Sequence, residues 1–363
     1  MHWLKEKFEL SRGQINLQPM EGMRGFAVLL VFMVHYATLV KPWIREDTSV
    51  HSLLEALHTI GNAGVDLFFV LSGYLIYGSL LARKQTFFEF ITRRIQRIYP
   101  TFIAIFVVYL TLLAFFPAES KIPKEGAILY LVQNFLLLPG LFPIEPLITV
   151  AWSLSYEMFY YLVMPVTVTV IGLRSRGRIW RICFISTVAI VTTSYCVLFS
   201  GPIRLNMFIV GILLYESIKS GQIRQSSGLM ALLALTSALF ATLMHGYIEI
   251  GFMFVGFYLF CLHCFLHPTD WLARAFSWAP MRLLGNMSYS YYLLHGLALK
   301  AGFLVLSKFK ITQGEILFFG LLPVMFALTI GASVVLFLVI ERPLSLTPVR
   351  NTKEPIPQAA QSS

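Results

Sequence analysis

Residues 20–36 read MEGMRGFAVLLVFMVHY, an apolar run with an arginine near its start and a histidine near its end. A bilayer core is about 30 Å thick, so a spanning helix needs about 20 mostly apolar residues. Residues 23–41, which hold most of this stretch, are therefore expected to cross a membrane. The same measure gives nine further spans, at roughly 60–81, 99–116, 150–173, 182–201, 203–218, 228–245, 247–266, 283–306 and 315–340. The chain reads as all-α, a polytopic transmembrane helical bundle of about ten spans.

Composition agrees. Of 363 residues, 57% are hydrophobic and 13% charged, about half the charge of a water-soluble chain. That excludes a soluble enzyme, a disordered protein and a collagen-like fibre. An outer-membrane barrel would instead alternate with period two in segments of roughly ten residues. Cys183, Cys196, Cys261 and Cys264 all lie in apolar runs, so no disulfide framework is suggested. A net charge of +10 invites a nucleic-acid reading. Here the Lys and Arg sit between spans, where they set topology instead, and no nucleic-acid partner is expected.

Their placement fixes the expected orientation. Lys5, Lys7, Arg12 and Arg24 precede the first span; Arg83, Lys84, Arg93, Arg94 and Arg97 follow the second. Arg174, Arg176, Arg178 and Arg181 follow the fourth, Lys219 and Arg224 the sixth, Arg274 and Arg282 the eighth. Arg342, Arg350 and Lys353 follow the tenth. The opposite connections mix signs or carry little charge, so both termini are expected in the cytoplasm. The first span holds His35 and lacks a small-residue cleavage site, unlike a signal peptide. Residues 1–345 are expected to form one membrane-embedded domain, followed by a polar cytoplasmic tail over 346–363. The apolar but short stretch 127–142 reads as an interfacial or re-entrant helix.

Ionisable groups inside a bilayer cost about 2.5–3.5 kcal/mol each even on the lenient scale, which makes them functional candidates. Four fall inside expected spans: His35 in the first, Asp66 in the second, Glu157 in the fourth and His295 in the ninth. With about 1.5 Å of rise per residue, all four come to lie in the outer half of the membrane. If their helices face each other, they form a buried His/carboxylate cluster suited to general acid–base work. The bland alternative is a set of structural hydrogen-bond partners between helices, and Asp66, near Gly61 and Gly64, would also suit a helix cap.

Residues 86–100, TFFEFITRRIQRIYP, place Arg94 and Arg97 on one helix face, interleaved with apolar residues. The segment reads as an interfacial helix, with Pro100 in the first turn of the next. Its guanidinium forks suit bidentate capture of phosphate, or a simple grip on lipid headgroups. Arg24 and His35 stand eleven residues apart, about three helical turns, so both share one face of the first span. Such a stripe suits an anionic substrate entering from the cytoplasm. Cys261, His263 and Cys264 do not converge on one helix face, so no metal site is expected there.

Six motifs occur in order: MEGMRGFAVLLVFMVHY, GNAGVDLFFVLSGYLI, FEFITRRIQRIYP, WSLSYEMFYYL, LGNMSYSYYLLHG and a final ERP. Together they closely resemble the integral-membrane acyltransferase-three family, whose members O-acylate O-antigen, exopolysaccharide, Nod factor and other acceptors. The resemblance runs from about residue 17 to 343. It implies a multi-pass protein of the bacterial plasma membrane that moves an acyl group, acetyl in most members, from cytoplasmic acyl-CoA to a hydroxyl of a cell-surface or lipid-linked glycan. The family's first-helix pair falls on Arg24 and His35, its cytoplasmic Arg-x-x-Arg on Arg94 and Arg97. Its Trp-Ser-Leu-x-x-Glu falls on Trp152, Ser153, Leu154 and Glu157. The resemblance implies that His35 is essential to transfer and that Arg24, Arg94 and Arg97 hold the donor; His35 is expected to act as general base or, alternatively, to take the acyl group itself, with Glu157 orienting or charging an imidazole. Asp66, Trp152, Ser153 and His295 are supporting candidates. Acyl-CoA is the implied co-substrate, with no bound cofactor or metal; the other partners are the glycan acceptor and membrane lipids. Some members carry an added hydrolase-like domain, so transfer here is expected to be finished by the membrane domain or by a separate protein. A transporter of a lipid-linked or small acylated molecule is the competing reading, since intramembrane His, Asp and Glu also build proton relays.

Overall fold

The computed structural model describes residues 18–117, 120–221, 227–244, 248–309 and 314–346, and besides these Phe8. Lys5, Lys7, Arg12, Arg224, Arg350, Lys353 and residues 347–363 of the expected tail lie outside the described residues. The described chain is helical and holds no strand.

Helix α1 covers Gln18–Val40. After a single 3-10 turn at Lys41–Trp43, Thr48 caps α2 (Ser49–Gly61) by accepting a hydrogen bond from the His51 amide. Asn62 alone separates α2 from α3 (Ala63–Ala82). Helix α4 (Phe87–Phe115) starts from a complete capping box, in which Thr86 and Glu89 satisfy each other's amides. The short α5 (Ala127–Phe135) and a loop lead into α6 (Trp152–Val170). Then come α7 (Arg178–Phe199), α8 (Met207–Ser220), α9 (Gly228–Ala241) and α10 (Ile248–Leu266). Two short helices, α11 (Trp271–Phe276) and α12 (Ala279–Asn286), precede α13 (Ser288–Leu306) and α14 (Ile316–Leu336). The last runs on as a wider, π-helical coil over Phe337–Leu346.

Each of the ten expected stretches falls on helix. Among the described residues, six helical segments are long and apolar enough to cross a membrane: Gln18–Trp43, Ser49–Ala82, Phe87–Phe115, Arg178–Phe199, Ile248–Leu266 and Ile316–Leu346. The other four stretches have a physical reason to fall short. Helices α8 and α9 have 14 residues each, about 21 Å of rise. Helices α6 and α13 are 19 residues long but carry serines, tyrosines, a glutamate and a histidine that lower their hydropathy.

Two expectations need correction. The segment 86–100 is no separate interfacial helix with Pro100 opening the next. It is the first half of α4, and Pro100 lies inside that helix. The proline ring removes one backbone donor and disfavours a continuous ladder, yet 29 residues run through. Conversely, the stretch 283–306 is not one helix. It breaks at Met287, between α12 and α13.

Helix α1 is the centre of the fold. Met23, Ala27 and Val31 enter one apolar core, whereas Val28, Phe32 and Tyr36 enter a second one shared with α13 and α14. Its first turns lie against α12 with backbone touching backbone. A Cβ on Gly25 would stand 2.0 Å from the Met281 carbonyl oxygen, and one on Gly285 1.7 Å from that of Glu21. Small residues at such a crossing let helices approach closely in lipid. Beside them Arg282 donates to Glu21 at 2.8 Å.

Candidate active site

The close approach of α1 to α12 sets where Arg24 points. Its Nη2 donates to Ser288 Oγ at 2.8 Å, at the first residue of α13. Arg24 thereby becomes one wall of a cavity of about 160 Å³ whose charged lining also includes Arg94, Arg97 and Glu157. Helices α1, α3, α4, α6 and α13 all contribute to it.

The three guanidinium groups have different partners. Arg97 donates to Glu341 Oε1 at 2.6 Å, and Glu341 is fully buried. The other oxygen, Oε2, accepts from the Ser290 amide at 2.9 Å and from its hydroxyl at 2.5 Å. Tyr289 lies under the Arg97 guanidinium at 5.6 Å. Arg94 is different: its buried Nε has no hydrogen-bond partner among the described residues. Its guanidinium rests on the Phe90 and Tyr161 rings at 5.0 and 5.4 Å, a cation–π setting. Three guanidiniums against two carboxylates leave a net positive site that suits an anion.

Glu157 accepts a hydrogen bond from Ser72 at 3.2 Å and another from Tyr161, one turn further along α6. Ser153, on the same helix, shares a hydrogen bond of 2.7 Å with the Tyr292 hydroxyl. Trp152 packs edge-on against Tyr156. Tyr292 also donates to the Val150 carbonyl, and its ring meets Phe68 at 6.2 Å. Both Phe68 and Tyr292 line the cavity, whereas His35 does not.

His35 instead meets His295. The two rings lie 4.9 Å apart, edge to face, and Tyr292 is 6.1 Å from His295. His35 is half-buried and His295 fully buried. Tyr292 thus links the cavity lining to the histidine pair. Asp66, also fully buried, faces Arg204 at 3.5 Å. The four titratable groups expected in one cluster therefore occupy three settings: a histidine pair, a carboxylate among the arginines, and a separate ion pair. The expected common depth came from helical rise alone, which says nothing of the direction in which each side chain points.

Glu341 is the main residue that sequence reasoning left without a role. Its signal was a lone carboxylate closing an apolar run in the ERP motif. Tyr161, Ser288 and Tyr292 carried no such signal, since serine and tyrosine are ordinary in apolar helices.

A family profile described as an acyltransferase domain matches residues 18–338. The O-acetyltransferase OatA of Staphylococcus aureus is 27% identical over 320 residues, 77% of this chain and 50% of its own length. The exopolysaccharide production protein ExoZ of Rhizobium meliloti is 28% identical over 312 residues, 79% of this chain and 90% of its own. The acyltransferase MdmB of Streptomyces mycarofaciens is 32% identical over 172 residues, 46% of this chain and 43% of its own. The chain thus spans about half the length of OatA, the first of these. No solved structure matches.

Proposed function

The chain belongs to the acyltransferase-three family, and on that premise we propose that it is a membrane O-acyltransferase. It moves an acyl group, acetyl by analogy with the O-acetyltransferase OatA, from cytoplasmic acyl-CoA to a glycan hydroxyl. The acceptor is a cell-surface or lipid-linked glycan, in keeping with the exopolysaccharide production protein ExoZ. In this reading the protein sits in the bacterial plasma membrane with ten spans and both termini cytoplasmic. The six long apolar helices and the basic even-numbered connections support that orientation.

The observation that carries the proposal is the cavity walled by Arg24, Arg94 and Arg97, three turns of α1 away from the histidine pair. Arg94, with its unmatched Nε, takes the donor's phosphates, and Arg97 and Arg24 add charge. The slender pantetheine arm passes the Phe68–Tyr292 wall so that the thioester reaches His35. His35 removes the proton of the acceptor hydroxyl as its oxygen attacks the thioester carbonyl. The new C–O bond forms, the C–S bond breaks, and the thiolate takes the proton from the imidazolium to leave as CoA thiol. Glu157, hydrogen-bonded to Ser72 and Tyr161, balances the arginines and keeps Tyr161 beneath Arg94.

The purified full chain, incubated with radiolabelled acetyl-CoA and cell-envelope glycan, should transfer label to the glycan. Label that stays on acetyl-CoA under all conditions would contradict the proposal, and is what a transporter would give.

A further inference from the structure

The histidine pair contains more information than its proximity. His295 Nδ1 lies 2.9 Å from the carbonyl oxygen of Tyr291, one turn earlier on α13. A carbonyl oxygen only accepts, so Nδ1 carries the hydrogen. A neutral imidazole has one N–H, which leaves Nε2 as a bare lone pair. That Nε2 is buried and has no partner among the described residues. Buried acceptors are rarely left unmatched, so the lone pair calls for a donor.

The neighbouring hydroxyls are already committed. Tyr292 donates to Val150 and shares a hydrogen bond with Ser153. Tyr291 stacks flat on the His295 ring at 5.3 Å, and its hydroxyl is shared with Thr329. Tyr36 donates to the Phe318 carbonyl. The His35 ring meets His295 edge to face, 4.9 Å between centroids, with no hydrogen bond between them, and a turn of that ring would bring one of its N–H groups to Nε2.

We propose that His295 is the positioning residue for His35: once the His35 ring turns toward it for reaction, its bare Nε2 accepts a hydrogen bond from one ring N–H of His35. The opposite nitrogen of His35 then carries the lone pair and faces the acceptor hydroxyl. This rests on the reading of His35 as the base of acyl transfer. It extends to a histidine pair the general arrangement in which a base is oriented by a third group. The tautomer is set from the backbone outward: the Tyr291 carbonyl fixes His295, and His295 fixes His35. When His35 takes the hydroxyl proton it becomes an imidazolium whose inner N–H still points at His295. That charge is shared across the pair until the departing thiolate removes the proton.

The test uses the full-length protein in membranes, with acetyl-CoA and cell-envelope polysaccharide, and reads kcat and KM for acetyl-CoA separately. His295→Phe keeps the ring volume and removes the acceptor; kcat should fall about 100-fold, as for loss of general-base function, with KM unchanged. His295→Gln places an amide oxygen close to the position of Nε2 and should recover part of the lost kcat. Should the Phe variant fail to accumulate, His295→Met against His295→Gln makes the same comparison between side chains of like length. Parental kcat in the Phe or Met variant, or a Gln variant no better than either, overturns the positioning role. A His35→Ala variant that still transfers label overturns the underlying reading instead. An inactive His35→Ala beside a fully active His295→Phe removes this inference alone.

Discussion

His35 and Arg94 divide the proposed reaction between a transferring end and a holding end, and their variants should fail in different ways. His35→Ala should abolish label transfer while the protein remains abundant in membranes, measured by immunoblot beside the radiolabel assay. Arg94→Ala should raise KM for acyl-CoA by about tenfold, the worth of one charge-assisted hydrogen bond to an anion, with kcat little altered. An unchanged KM would assign Arg94 to lipid headgroups. Glu341→Gln should act twice. It unpairs the partly exposed Arg97 from fully buried Glu341, a change that costs at most about 3–5 kcal/mol, the figure for a fully buried pair, and it releases a cation from its place in the cavity. A lowered thermal midpoint together with a raised KM is the expected signature. Arg24, Arg94, Arg97 and His35 were legible in the sequence because charges inside or beside apolar runs are costly and therefore conspicuous. Glu341 was equally conspicuous but its partner, 244 positions earlier in the chain, was not. Contacts of that separation depend on helix azimuth and crossing, which hydropathy does not encode.

Helix α1 gains its functional position from glycine contacts rather than from its own polarity. Gly25 and Gly285 allow α1 and α12 to meet at backbone distance, and that crossing brings Arg24 to Ser288. Gly25→Val should force the helices apart and cost about 1–3 kcal/mol, as overpacking does, read as a lower thermal midpoint in detergent. The same change should weaken donor binding, because Arg24 moves with the helix. Stability and KM both at parental values would show that the crossing does not set the cavity. The elements themselves were largely readable: each expected stretch carries helix because long apolar runs leave the backbone no other way to satisfy its hydrogen bonds in lipid. Pro100 misled that reading. A proline usually marks a helix start or a break, yet here α4 continues through it. The break at Met287 escaped notice for the opposite reason, since Gly285, Asn286 and Ser288 sit in an otherwise helical apolar pattern.

As a whole, the protein is a membrane bundle with its arginine cavity and its histidine pair at different heights along α1. Arg24 and His35 are separated by about 16 Å of helical rise. In the proposed reaction this arrangement would let a polyanionic carrier remain at one face while its acyl end reaches a group further along the bundle. The proposed sidedness has its own test: single cysteines placed at Lys84 and at Thr48 should differ in labelling by a membrane-impermeant maleimide added outside cells. Thr48 should react and Lys84 should not; the reverse pattern would invert the orientation. The most direct measurement is an experimental structure with a non-hydrolysable acetyl-CoA analogue bound. The expected result has the donor's phosphates on Arg94 and Arg97, with the arm past Phe68 and Tyr292 and the carbonyl carbon beside the His35 ring. Phosphates held elsewhere, or an arm that leaves the bundle toward lipid without reaching His35, would contradict it.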